Sequence, residues 1–450
     1  MALLNPLFDK LIGFIDETMD TLGIKHRKPE TPIYLGATAG MRLISINDRE
    51  QVMLNVRKAL GRSGFSFVAT HAKVISGEEE ALFDWIAANY LQKTLQNQRI
   101  QQQMATLSSS PAERLRALRP LSSFKFDPNL EASERYLAMR DQGLLTFSGS
   151  VGALDLGGAS TQITFEPGQD IMGHYTEYRT PSRNTHQLYA VSFLGYGQNE
   201  ATVRLIRQTL SANNAKNGDI VNFPCFNTGY SSEYTEPSLR VTVTLKGFSD
   251  PAACMDLMHG LLNRDTECFG VDRCSINGSY QPQPPSDMEF YLFSGYYYTM
   301  SLFNMGDGTY SLQEFIDLQE KDVCNLTLDQ LKAKYPKANT KYLESGCLNL
   351  SYIVAMLREA YGFSPSSKQL SVKSNVNGVE VSWALGRIVY EANMLHYDKI
   401  LPPSEDPSFT TVMSVALIAT VVAVCAMGWL LVRGVLDDKM AAMGESLNVN

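Results

Sequence analysis

The chain is 450 residues long, 44% hydrophobic, 10% aromatic and 19% charged, with a formal net charge of −8 at pH 7. That length holds a large core and two lobes. The acidic balance, with no long basic run, excludes a protein built to grip a nucleic-acid backbone.

In chain order, residues 1–23 read as an amphipathic helix, with Leu4, Leu7, Phe8, Leu11, Ile12 and Ile15 on one face. It carries Asp9, Lys10 and Asp16 and so is not a signal peptide. A short buried strand at 32–36 runs through the turn ATAG into a helix near 41–61. Residues 65–76 are strand-like, and a helix with an apolar stripe follows over 79–96. The Gln-rich, then Ser- and Pro-containing stretch 92–135 reads as an exposed insertion. Strand, turn and strand return at 151–165, and strand-like and helical segments alternate from 187 to about 400. A Pro-containing linker, 401–408, leads to 409–432, which carry no charge and read as a transmembrane helix. Arg433 and Lys439 beyond it weakly place the tail 433–450 in the cytosol. The expected organisation is a first lobe within 1–150 and a second within 151–400, both α/β.

Three stretches carry the chemistry. In GALDLGGASTQITF (152–165), Asp155 and the pair Gly157–Gly158 lie between two apolar segments. A glycine turn in a β-hairpin is one reading. The other is a phosphate loop, in which glycines admit an anion to a nest of N–H groups and Asp155 holds a divalent cation. Ser160 and Gln162 then lie within reach of an attacking water. In IYLGATAGMR (33–42), a strand runs through small residues into a helix N-terminus, with Thr38 adding a hydroxyl. In VISGEEEALFDW (74–85), three glutamates open an apolar helix. They either complement its dipole or supply a general base with a pKa raised by like charges.

Six of the seven cysteines fall between 225 and 347, and Cys425 lies in the expected span. An even number confined to one region suits disulfides in an oxidising compartment, and zinc is disfavoured by the lack of any C-x-x-C pair. Neighbour pairing gives Cys225–Cys254, Cys268–Cys274 and Cys324–Cys347, one of fifteen connectivities. Sequons at Asn277, Asn325 and Asn349 share the region and favour a lumenal or extracellular setting.

Together these stretches resemble the ecto-nucleoside triphosphate diphosphohydrolases, or ecto-apyrases. ATAGMR, the Gly-Glu-Glu segment running to Trp85, and LDLGGASTQITF are similar to the second, third and fourth apyrase-conserved regions. YLFSGYYYT (291–299) is similar to the fifth. SFLGYG (192–197), MLREAYGF (356–363) and SWALGRIVYEANML (382–395) resemble other family segments.

The resemblance implies two ribonuclease-H-like lobes of the actin and sugar-kinase superfamily, with nucleotide in the cleft. It implies hydrolysis of nucleoside tri- and diphosphates with Ca2+ or Mg2+. Glu80 matches the catalytic base, and Asp155 the acid holding the metal through water. Gly157, Gly158 and Ala159 match a phosphate loop, with Thr38 and Ala39 as further phosphate contacts. Ser160 and Gln162 match the residues that orient the water. Tyr297 and Arg358 match a pair that sandwiches the base, with Tyr296 competing for the aromatic role.

Ala81 and Asp84 stand where the family usually has glycine, and no stretch before residue 33 resembles the family's first phosphate loop. The first lobe therefore reads as truncated, and a complete form is expected to be a membrane ectoenzyme. The alternative reading is an impaired relative that binds nucleotide or a partner without turnover. A sugar or carboxylate kinase is a third reading, disfavoured by the cysteines, sequons and apolar span. Homo-oligomerisation is left open.

Overall fold

A computed structural model of the protein describes residues 4–95, 149–168, 171, 175–180, 185–264 and 274–394. The chain gathers into two units. One draws on Met1–Ala87 and Glu380–Asn450, the other on Ala88–Val379.

In the first unit, α1 (Leu4–Thr21) buries Phe8, Leu11, Ile15 and Met19, which recur at helical spacing along one face. β1 (Leu35–Ala37) is followed by α2 (Ala39–Leu43). The single helix expected near 41–61 is broken. Ser45, with ψ of 150°, accepts from the Asp48 N–H at 3.2 Å and so caps a separate α3 (Ile46–Leu60). Of the strand-like stretch 65–76, only β2 (Ala72–Val74) pairs as a strand, parallel to β1 with Leu35 opposite Ala72.

α4 (Gly77–Leu91) starts at a capping box, in which Ser76 Oγ accepts from the Glu79 N–H and Glu79 Oε2 accepts from the Ser76 N–H. Residues 81–89 are buried on every side of the helix. The expected apolar stripe is therefore a helix wholly inside the fold.

The expected lobe boundary at 150 is not where the structure divides the chain. The helix Trp383–Met394 belongs to the first unit: a Cβ on Gly386 would lie 1.7 Å from the Phe83 carbonyl oxygen. Only a glycine allows that approach.

The second unit is built on a mixed seven-stranded sheet. Its strands are β3 (Gly152–Leu156), β4 (Ser160–Phe165), β5 (Thr176–Arg179), β6 (Thr185–Leu194), β10 (Phe290–Ser294), β11 (Gly308–Tyr310) and β12 (Leu370–Val372). Their order is β11-β12-β10-β3-β4-β6-β5. β3, β10 and β12 are parallel neighbours, and the rest pair antiparallel. β7 (Ile220–Phe223), β8 (Ser231–Glu236) and β9 (Val241–Gly247) form a separate three-stranded sheet. α5 (Gln198–Ala212), α6 (Pro251–Leu262), α7 (Gly295–Leu302) and the almost wholly buried α8 (Gly346–Ala355) complete the core.

Cys225–Cys254 and Cys324–Cys347 are disulfides within this unit. Cys274 is also disulfide-bonded. Cys268 lies outside the described residues, as do residues 96–135 of the expected insertion and the linker, span and tail at 401–450. The membrane localisation expected from the sequence is corrected here: among the described residues no helix is long and apolar enough to cross a membrane, so a C-terminal span is not supported.

Candidate active site

In the first unit, Thr38 sits at the start of α2 and Ala39 is buried as its first residue. The three glutamates of α4 part company. Glu78 is exposed, Glu79 pairs with Lys73 Nζ at 2.5 Å, and Glu80 is only 5% exposed. Lys73 and the Ser76 N–H more than offset burial and hold the Glu79 carboxyl below its ordinary range. Glu80 faces Arg42, whose Nη2 donates to Glu80 Oε2 at 2.8 Å. Glu80 thus has an opposite charge in direct contact. Asp84, one turn further along, is 1% exposed.

In the second unit, β3 and β4 form a true antiparallel hairpin, closed by the Gly157 N–H donating to Ser160 O at 3.0 Å. The hairpin and phosphate-loop readings are therefore compatible. Register places Phe293, Asp155, Gln162 and Ser192 in one row across β10, β3, β4 and β6. Because side chains alternate along a strand, Ser160 shares the face of Gln162. Gln162 Nε2 donates to Ser160 Oγ at 2.8 Å and to Ser192 Oγ at 3.0 Å.

Asp155 is 6% exposed. Burial pushes its carboxyl up to about 6, against the Ser294 hydroxyl and the Leu156 N–H, which favour the charged form. Asp155 Oδ1 and Gln162 Oε1 are buried without hydrogen-bond partners. Thr161 Oγ1 donates to the Asp155 carbonyl at 2.8 Å and lies 3.1 Å from the Tyr361 hydroxyl, which fastens the strand from behind.

The loop between the strands is held by the segment before α5. The Gln198 N–H donates to Gly157 O at 2.8 Å, the Asn199 N–H to Gly158 O at 2.9 Å and the Gly195 N–H to Ala159 O at 2.8 Å. All three loop carbonyls are taken, and the N–H groups of Gly158 and Ala159 donate no hydrogen bond among the described residues. Such a loop is suited to receive an anion. Gly197 makes this docking possible, because a Cβ there would lie 2.3 Å from the Ala159 nitrogen.

The expected base-binding residues are less closely joined. Tyr297 on α7 is half-buried and meets Tyr298 edge-on at 5.7 Å. Arg358 is exposed on a π-helical turn, Met356–Ala360. No ring–guanidinium contact joins the two among the described residues. Tyr296 is 0% exposed and has no face to offer a ligand.

Of the sequon asparagines, Asn277 and Asn325 are exposed and Asn349 is half-buried. The Asn277 amide donates to the Tyr196 hydroxyl at 2.7 Å.

Sequence reasoning did not single out Arg42, Ser192, Ser294 or Gly197. Ser294 has φ of 55°, an uncommon conformation for a residue other than glycine. Its place beside Asp155 follows from β10 pairing with β3, which no local pattern announces.

The second unit is thus a mixed α/β fold with a buried carboxylate beside a glycine loop whose Gly158 and Ala159 N–H groups donate no hydrogen bond among the described residues. The chain belongs to the GDA1/CD39 (nucleoside phosphatase) family, whose profile matches residues 10–404, and as a member it is a hydrolase. It is 28% identical to an ectonucleoside triphosphate diphosphohydrolase 8 of Bos taurus over 425 residues, 89% of this chain and 73% of that protein. It is 30% identical to an ectonucleoside triphosphate diphosphohydrolase 2 of Mus musculus over 431 residues, 90% of this chain and 76% of that protein. Among solved structures, nucleoside triphosphate hydrolases from Neospora caninum share its fold. There the TM-score is 0.56 at 16% identity, over 86% of this chain and 78% of the other.

Proposed function

We propose that the chain hydrolyses nucleoside tri- and diphosphates, releasing the terminal phosphate by direct attack of water. The observation that carries this reading is the pair Asp155 and Gln162, opposite in register, each with a buried oxygen awaiting a partner.

In this reading Glu80 accepts the proton as the water oxygen bonds to the terminal phosphorus. The bond from that phosphorus to the bridging oxygen breaks, and the electron pair leaves with the shortened nucleotide. Gln162, oriented by Ser160 and Ser192, holds the water with its Oε1. The N–H groups of Gly158 and Ala159 receive phosphate oxygens, and Thr38 and Ala39 supply further phosphate contacts. Such transfer needs mainly positioning and charge stabilisation.

Ca2+ or Mg2+ fits this site as a hydrated ion. Asp155 Oδ1 is a buried acceptor without a partner, and no group of three or more His, Cys, Asp or Glu side chains is gathered among the described residues. Asp155 would hold such an ion through its water shell, and the ion would neutralise phosphate charge. Tyr297 and Arg358 would flank the base, a contact tolerant of base identity.

The test is phosphate release by the purified chain in 18O-labelled water, with ATP, ADP, UDP and AMP and each cation in turn. The reading expects release from the first three and label in the phosphate. Label in the nucleotide product, or no release from any nucleotide, overturns it.

A further inference from the structure

We infer that Arg42 is the positioning residue for Glu80, holding that carboxylate at a set place relative to the Thr38–Ala39 turn. The inference rests on the proposed role of Glu80 as base and deepens it.

The geometry is specific. One arm of the Arg42 guanidinium, Nη2, donates to Glu80 Oε2 at 2.8 Å, and the other, Nη1, donates to the Ile75 carbonyl at 3.1 Å. Arg42 lies on α2, three residues after Ala39, while Ile75 and Glu80 lie at the end of β2 and the first turn of α4. A single planar side chain therefore ties the turn after β1 to the start of the helix bearing the base. The pair is largely buried, with side-chain exposures of 13% and 7%, so the attraction is poorly screened. A two-armed fork also fixes direction, which a lysine does not do.

Other charged groups lie close by. Lys73 on β2 pairs with Glu79, and Arg387 on the helix Trp383–Met394 also acts on Glu79. Glu78 is exposed, and Asp84 on the same helix is an acid. Removing the Arg42 cation weakens the stabilisation of the Glu80 carboxylate, and a carboxylate that loses a paired cation takes up a proton at higher pH.

The experiment is the pH dependence of kcat and KM for ATP hydrolysis by the full chain, for wild type, Arg42→Gln, Arg42→Lys and Glu80→Gln. Melting temperatures are measured alongside. Arg42→Gln is expected to lower kcat by about 10–100-fold with little change in KM, the scale of a misplaced catalytic group. It should also move the acid limb of the profile about one pH unit higher, and Arg42→Lys should restore the limb while leaving part of the kcat loss. An acid limb that stays in place in Arg42→Gln, with activity falling only as melting temperature falls, overturns the inference. Wild-type activity in Glu80→Gln overturns the base assignment itself, and the two failures are thereby told apart.

Discussion

Asp155 and Gln162 stand directly opposite each other on β3 and β4, and each keeps one buried side-chain oxygen without a hydrogen-bond partner. Buried polar atoms of this kind are normally answered by a water, an ion or a bound group. The surrounding contacts all fix these two residues in place: Ser160 and Ser192 hold the Gln162 amide, and Thr161 holds the Asp155 backbone.

Asp155→Asn is expected to abolish most phosphate release and yet stabilise the ligand-free fold above pH 7. The folded Asp155 carboxyl lies near 6, above its ordinary 3.8. A raised value favours the protonated form, so that stability is present below about 4 and is lost as pH rises through 6. Above that range the buried charge costs about 3 kcal/mol. The variant should therefore melt several degrees higher than wild type at pH 8 and close to it at pH 4. Added Ca2+ should raise the wild-type melting temperature and leave the variant unmoved.

Gly197→Ala tests the backbone support of the loop. Its Cβ would sit 2.3–2.4 Å from Ala159 N, Gly158 C and Ser160 N, so the loop must shift. The expected outcome is a stability loss of about 1–3 kcal/mol by urea unfolding. Turnover should fall by about 100-fold, out of proportion to that loss. Activity within twofold of wild type would show that the loop geometry is not needed.

Tyr296 and Tyr297 are neighbours with opposite expectations. Tyr296 is fully buried, so Tyr296→Ala should cost about 3–5 kcal/mol of stability. Tyr297 is half-buried. Tyr297→Ala should raise KM for nucleotides by about tenfold, the scale of one lost stacking contact. It should leave cleavage of inorganic tripolyphosphate unchanged. Equal effects on nucleotide and tripolyphosphate would remove Tyr297 from base binding.

The Cys225–Cys254 disulfide joins residues 29 positions apart, far from the row of Asp155 and Gln162 in sequence. Replacing both cysteines by alanine should lower stability by about 3 kcal/mol in urea titrations. Turnover of the molecules that remain folded should be unchanged.

Local patterns carried much of this architecture. The face of α1 was legible from Phe8, Leu11 and Ile15, and the β3–β4 hairpin from its glycine pair. Ser160 and Gln162 share a face by alternation along β4, and the short hairpin brings Asp155 opposite Gln162. Other features depended on distance in sequence. Arg42 and Glu80 are 38 positions apart, and Ser294 reaches Asp155 only because β10 pairs in parallel with β3. The buried character of α4 came from its packing, not its periodicity, so the sequence read a stripe where every side is covered. The break at Ser45 is hard to see in the sequence because a lone serine inside a continuous helical pattern is a weak stop signal.

The most direct measurement is inorganic phosphate released from ATP and ADP by the purified chain with Ca2+ or Mg2+, for wild type, Glu80→Gln and Asp155→Asn. The account predicts release from both nucleotides by wild type and near-complete loss in each variant, with both variants still folded. Release that persists in folded Glu80→Gln and Asp155→Asn would contradict it.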